Sequence, residues 1–149
     1  MYKLLKTNSN HPDFQKLTQL FDDYLVEIDG DEKDFFAQYN QIYIDNVIVC
    51  YEDEIAVGCG AFKEYEPTVA EIKRMFVLPE KRGKGIASTV LNALEIWAKE
   101  NGFQHAILET SNQLTNAISL YQKSDYEVIP NYGQYIDVES SVCMKKILK

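Results

Sequence analysis

Apolar positions along this chain recur with two different periods, and the switches between them delimit the elements. Residues 2–6 fit a short strand. Asn10-His11-Pro12-Asp13 then combines a capping side chain with an early proline, the signature of a helix start. Phe14, Leu17, Leu20, Phe21, Tyr24, Leu25 and Ile28 follow at helical spacing, so an amphipathic helix is predicted up to Asp29-Gly30. A second short helix is predicted over Glu32 to Tyr39.

The middle of the chain changes to strand character. Val47 to Tyr51 and Ile55 to Phe62 flank the polar turn Glu52-Asp53-Glu54 and read as a hairpin. Pro67-Thr68 marks another turn, and Val69 to Leu78 reads as the next strand. Helical spacing returns over Ile86 to Asn101, where Ile86, Val90, Leu94 and Trp97 form one stripe closed by Gly102. Phe103 to Thr110 reads as a strand and Thr115 to Lys123 as a short helix. Tyr126 to Ile129 and Ser141 to Ile147 read as final strands on either side of Pro130-Asn131-Tyr132-Gly133.

This order implies an α+β, or mixed α/β, domain with one parallel crossover, from strand 69–78 through a helix to strand 103–110. Strand and helix do not alternate from the start, so a doubly wound nucleotide fold is excluded. The chain has no repeats and no linker-like tract, and its 149 residues suit one domain over 1–149. Hydrophobic residues at 46% and charged residues at 26% give the balance of a globular domain. With neither a membrane-length apolar run nor a secretory leader at Met1–Lys6, a cytoplasmic location is expected.

Charge and cysteine content narrow the chemistry. A net charge of −8 argues against nucleic acid or an anionic membrane as partner, and is compatible with a cationic amine. Cys50, Cys59 and Cys143 each sit in an apolar strand-like run, where a buried thiol is expected. His11 and His105 show no ligand spacing, so no metal site is expected.

One segment stands out. From Val77 to Ala87 the chain reads Val-Leu-Pro-Glu-Lys-Arg-Gly-Lys-Gly-Ile-Ala, a turn from a strand end into a helix N-terminus. The first N–H groups of a helix have no intrahelical partner, and the helix dipole favours an anion there. Gly83 and Gly85 permit positive φ and close approach to the backbone, while Lys81, Arg82 and Lys84 add positive charge. Such a turn suits a pyrophosphate. It matches neither the Walker loop nor the three-glycine dinucleotide fingerprint.

Here the chain resembles the GNAT superfamily of N-acetyltransferases. The family signature Arg/Gln-x-x-Gly-x-Gly/Ala is met by Arg82-Gly83-Lys84-Gly85-Ile86-Ala87, after a strand ending in Val77-Leu78-Pro79. A second family signature is met by Asn116-Ala117-Ile118-Ser119-Leu120-Tyr121-Gln122-Lys123-Ser124-Asp125-Tyr126. The resemblance is strong over 69–129. It departs at Asp125, where the family usually has glycine, which implies a strained turn.

The resemblance implies a central, mostly antiparallel mixed sheet flanked by helices, with acetyl-CoA held as co-substrate where the central strands splay. It implies backbone contacts to the pantetheine arm from Met75, Phe76 and Val77, and amides of Arg82, Gly83, Lys84, Gly85, Ile86, Ala87 and Ser88 around the pyrophosphate. Asn116 would contact the pantetheine region, and Tyr121 would protonate the departing thiolate. The resemblance also suggests Glu71 as base, on the reasoning that period two puts it on the strand face of Val77. Glu71 could equally pair with Lys73 or Arg74. Tyr24, Phe35 and Tyr39, with Tyr132, Gly133, Gln134 and Tyr135 opposite, occupy positions that line the acceptor cleft in the family, although core packing explains such aromatics equally well. The implied reaction is direct acetyl transfer to a primary amine of a small molecule, or to an exposed protein amino group, in a ternary complex. A non-catalytic acyl-CoA sensor or scaffold and a transferase for longer acyl chains are the alternatives, and a homodimer is compatible with either.

Overall fold

The computed structural model describes residues 2–29 and 43–149. The helix expected over 32–39, with Phe35 and Tyr39, lies outside the described residues. The strands are β1 (Tyr2–Thr7), β2 (Asn46–Glu52), β3 (Ile55–Glu66), β4 (Val69–Val77), β5 (His105–Ser111), β6 (Glu127–Ile129) and β7 (Ser141–Ile147). The helices are α1 (Pro12–Asp29), α2 (Ile86–Glu100) and α3 (Thr115–Lys123). The strands form one seven-stranded sheet in the order β1-β2-β3-β4-β5-β7-β6. Among the described residues only the β4–β5 pair is parallel; every other neighbour is antiparallel. This is the mixed, mostly antiparallel architecture expected.

β2 and β3 meet through Asp53 and Glu54, both left-handed at φ 51° and 69°, as a tight two-residue hairpin requires. β3 continues past the predicted Phe62 to Glu66, because Lys63, Glu64 and Glu66 pair with Glu71, Ala70 and Val69 of β4. Pairing overrides their polarity there. β5 begins at His105, two residues later than predicted, since Phe103 turns into the core against Phe62 at 5.9 Å.

Both faces of the sheet are covered, and for that reason β2 reads as an unbroken apolar run. Val47 and Val49 join Phe14 and Leu17 of α1 on one side. Ile48 and Cys50 join Val90, Leu91, Leu94 and Ala98 of α2 on the other. Each fully buried aliphatic of that kind contributes roughly 1.5–3 kcal/mol. At Gly60 a Cβ would lie 2.8 Å from Leu94 Cδ1 and 3.0 Å from Val90 Cγ1, so glycine lets α2 sit close on β3. All three cysteines are free and buried, as expected, and burial pushes the Cys59 thiol up to about 12.

α3 stops at Lys123, and Asp125 follows with φ 74°, its N–H bonded to the Gln122 carbonyl at 3.1 Å. That position after a helix is where glycine is favoured, because an L side chain there costs roughly 1–2 kcal/mol. Asp125→Gly should therefore stabilise the fold by about 1 kcal/mol, read as a higher denaturant midpoint at unchanged slope. An unchanged or lower midpoint would show that the turn is not strained.

Candidate active site at the divergence of two strands

The site begins where the parallel pairing ends. β4 and β5 are in register only at Val69–His105, Ala70–Ala106 and Glu71–Ile107, after which the two strands part. A cleft of about 680 Å³ opens between them. Its walls are the remainder of β4 through Val77, Glu109 to Ser111 of β5, and the first turns of α2 and α3. With β5 no longer alongside, the far edge of β4 faces this space. A strand edge of that kind can bond an extended ligand arm.

The mouth is made largely of backbone. Gly83 and Gly85 have φ 80° and 83°, and a Cβ at either would meet nothing within 4 Å. The turn needs glycine for its dihedrals, and the space outside stays open for a ligand. Gly85 is the N-cap of α2 and makes no side-chain capping bond; the same is true of Leu114 at α3. Two helix N-termini, neither capped by its N-cap side chain, thus line one cleft.

The cations contribute differently from expectation. Lys81 is bound to Glu52 at 2.5 Å, and Lys84 does not line the cleft. Arg82 lines it, but its Nε donates to the Val77 carbonyl at 3.0 Å. The guanidinium also lies over the rings of Tyr24 at 5.1 Å and Phe76 at 5.7 Å. Arg82 therefore joins the glycine turn to α1 and β4.

Halfway along β4 a bulge overturns one expectation. Cys59 pairs with Phe76 and Ala61 with Lys73, so β4 has an extra residue, and Arg74 takes it up at φ 58°. Side-chain alternation reverses across the bulge. Ile72 and Val77 both pack in the α2-side core, whereas Phe76 packs on the α1 side. Glu71, directly before Ile72, is consequently on the α1 side and not on the face of Val77. It still lines the cleft, 3% exposed, where Oε2 accepts a 2.7 Å hydrogen bond from the Tyr132 hydroxyl and Oε1 lies 3.7 Å from Lys73 Nζ. Burial lowers the Lys73 ammonium from its ordinary range, against the pull of Glu71.

Met75, Phe76, Val77, Ile86, Ala87, Ser88, Asn116, Tyr121, Tyr24 and Tyr135 all line this one cleft. Tyr132 does not; it stands behind Glu71 and packs edge-on against Tyr135 at 5.6 Å. Tyr121 is buried against Tyr126 at 5.8 Å. Burial, then the nearby Glu109 carboxylate, pushes the Tyr121 phenol well above the usual tyrosine range. A phenol so placed keeps its proton and presents a hydrogen-bond donor to the cleft.

Sequence reasoning missed the β5 wall, including Glu109, which accepts a 2.6 Å hydrogen bond from Ser141 Oγ, and Phe21, which stacks on Phe76 at 5.2 Å. Nothing in the local pattern marks either. Alternation within an apolar strand and spacing on a helix face look the same with or without a cleft beside them. Among the described residues no cluster of potential metal ligands occurs, and no helix is long and apolar enough to cross a membrane.

Comparison with known proteins agrees with this geometry. The chain is 33% identical to the IAA acetyltransferase of Azospirillum brasilense over 68% of its own length and 67% of that protein's. It spans between 50% and 67% of the length of three curated relatives it matches. A crystal structure from Klebsiella pneumoniae, assigned as an acyl-CoA N-acyltransferase, superposes with a TM-score of 0.85 at 25% identity, covering 100% of this chain and 99% of that one. An acetyltransferase of Elizabethkingia anophelis crystallised with acetyl-CoA shares the fold at a TM-score of 0.71 and 16% identity, over 99% of this chain and 98% of its own. The acetyltransferase (GNAT) family model matches residues 11–126, which include the splayed strands, the glycine turn and Tyr121, and the chain belongs to that family.

Proposed function

We propose that this protein transfers the acetyl group of acetyl-CoA to a primary amine by direct attack in a ternary complex. The observation that carries the reading is the open edge of β4 leading straight into the left-handed turn at Gly83 and Gly85. An extended pantetheine arm matches the edge, and a diphosphate matches the amides at the start of α2.

In this reading the backbone of Met75, Phe76 and Val77 holds the arm, and an N–H of that segment polarises the thioester carbonyl as negative charge develops on its oxygen. Asn116 contacts the arm from the start of α3. The amine approaches from the α1 side, between Tyr24 and Tyr135. Glu71 receives the amine proton while Tyr132 and Lys73 hold its carboxylate in place. The tetrahedral intermediate collapses with cleavage of the C–S bond, and Tyr121 gives its proton to the leaving sulfur. The presence of both Asn116 and Tyr121 in the cleft supports turnover over a cofactor-sensing role.

Three outcomes are expected. Gly85→Glu, which forces a side chain into a left-handed position and brings a negative charge to the turn, should abolish acetyl-CoA binding in calorimetry; retained heat of binding would move the phosphate site elsewhere. Tyr121→Phe should lower kcat by about 10²–10⁴-fold while acetyl-CoA affinity stays within a few-fold, and an unaltered kcat would remove Tyr121 from the chemistry. Glu71→Gln should lower kcat about tenfold or more near neutral pH, with the deficit shrinking as pH rises and more amine arrives deprotonated. A deficit independent of pH would assign Glu71 a purely structural role.

A further inference from the structure

Behind Tyr121 the interior holds a polar group set back from the cleft. Tyr126 packs its ring edge-on against Tyr121, with centroids 5.8 Å apart and planes at 65°. Its hydroxyl donates to Glu95 Oε2 of α2 at 2.8 Å, and the other carboxylate oxygen accepts from Lys146 Nζ of β7, also at 2.8 Å. The Lys146 ammonium lies 5.7 Å from the centre of the Tyr126 ring. Tyr126 and Glu95 are buried, and neither they nor Lys146 line the cleft, whereas Tyr121 does. Burial, then the Glu95 carboxylate, pushes the Tyr126 phenol far above the usual tyrosine range, so this donor keeps its proton at any working pH. The backbone joins the same two tyrosines. Across the left-handed Asp125, the Tyr126 N–H donates to the Tyr121 carbonyl at 3.0 Å.

A buried carboxylate is an expensive way to fill this space. A phenylalanine and a leucine would occupy it with no charge to desolvate, and exchanges of that kind are often neutral or stabilising. What hydrogen bonds add over apolar packing is direction, because a fully paired polar group fixes one orientation of the ring that carries it. Direction matters at Tyr121, which lines the cleft from the last turn of α3. Proton transfer requires its hydroxyl within hydrogen-bond reach of the sulfur, and a displacement of about 1 Å can cost about a hundredfold in rate. Resting on the acetyltransfer reading, with Tyr121 as the acid, we propose that Tyr126 is a positioning residue. Its ring, pinned at the far end by Glu95 and Lys146, holds the Tyr121 ring in the orientation that delivers the proton. Because Glu95 belongs to α2, this brace registers the acid against the same helix whose N-terminus forms the cleft mouth.

The test separates orientation from folding. Turnover is followed as free thiol released from acetyl-CoA with a series of primary alkyl and arylalkyl amines. The rate is counted per acetyl-CoA site titrated by calorimetry, so unfolded protein does not enter. Tyr126→Phe keeps the ring and removes the anchoring bond. It should lower kcat about five- to twentyfold while acetyl-CoA affinity stays within about twofold. In the Tyr121→Phe background the same change should lower kcat by less than about twofold further, since no acid remains to be misdirected. Glu95→Gln still offers an oxygen to Tyr126 and should keep kcat within about twofold of the wild type, whereas Glu95→Leu should match Tyr126→Phe. A Tyr126→Phe enzyme with the wild-type kcat overturns the inference. So does an equal loss on top of Tyr121→Phe, or a Glu95→Gln enzyme as slow as Glu95→Leu. Each of these leaves the acetyltransfer reading standing. If Tyr121→Phe alone turns over at the wild-type rate, the assignment of the acid fails and takes the inference with it. Absence of wild-type turnover with every amine removes the acetyltransfer reading and the inference together.

Discussion

The cleft exists because β4 and β5 pair over three residues and then separate. A parallel pair in mid-sheet would ordinarily continue, since each lost ladder position leaves backbone donors and acceptors that must find other partners. Here the divergence is sustained from both sides. β4 stays on β3 and carries the bulge at Arg74, while β5 turns to β7 and pairs with it along its whole length, from His105–Ile147 to Ser111–Ser141. The wedge between them receives the starts of two helices. Sheet, turn and helix ends are thus one construction, and each is useful to a ligand only because the strands part.

That construction also gives the mouth of the cleft a positive character on an acidic protein. The mouth does not depend on a cluster of unengaged lysines. Lys81 is neutralised by Glu52, and Arg82 serves as a brace between the Val77 carbonyl and the rings of Tyr24 and Phe76. What remains is the positive end of two helices and a run of amides freed by Gly83 and Gly85. Peptide dipoles are built into the backbone and need no desolvation of a free ion. They work within a chain whose net charge is −8.

The α1 face of the sheet has a different character. Arg74 lies over Phe21 at 5.2 Å, Phe21 stacks on Phe76, and Phe76 lies under Arg82, so two stacked rings are bracketed by a cation at the β4 bulge and another at the glycine turn. Such a ladder couples the position of α1 to both ends of the site. Glu71, Tyr132 and Lys73 form the adjoining polar group, held by one 2.7 Å hydrogen bond and a 3.7 Å ion pair in a nearly water-free setting. Glu71 and Lys73 hold their places because each has a partner.

Over the described residues, element order, the parallel crossover and the glycine turn were legible in the amino-acid order, because they follow from local period, turn chemistry and contiguous spacing. Asp125 was likewise visible as a misfit, and its φ of 74° has the physical cause expected, a side chain where glycine is favoured. The face occupied by Glu71 was not legible. Period two holds only along an unbroken ladder, and an arginine gives no local sign that it will absorb an extra residue at φ 58°. Nor could spacing reveal that Tyr132 would stand behind Glu71 or that Glu109 would wall the cleft. Those placements depend on which strands lie side by side, and that is decided by the burial of whole faces and not by any neighbour in the chain.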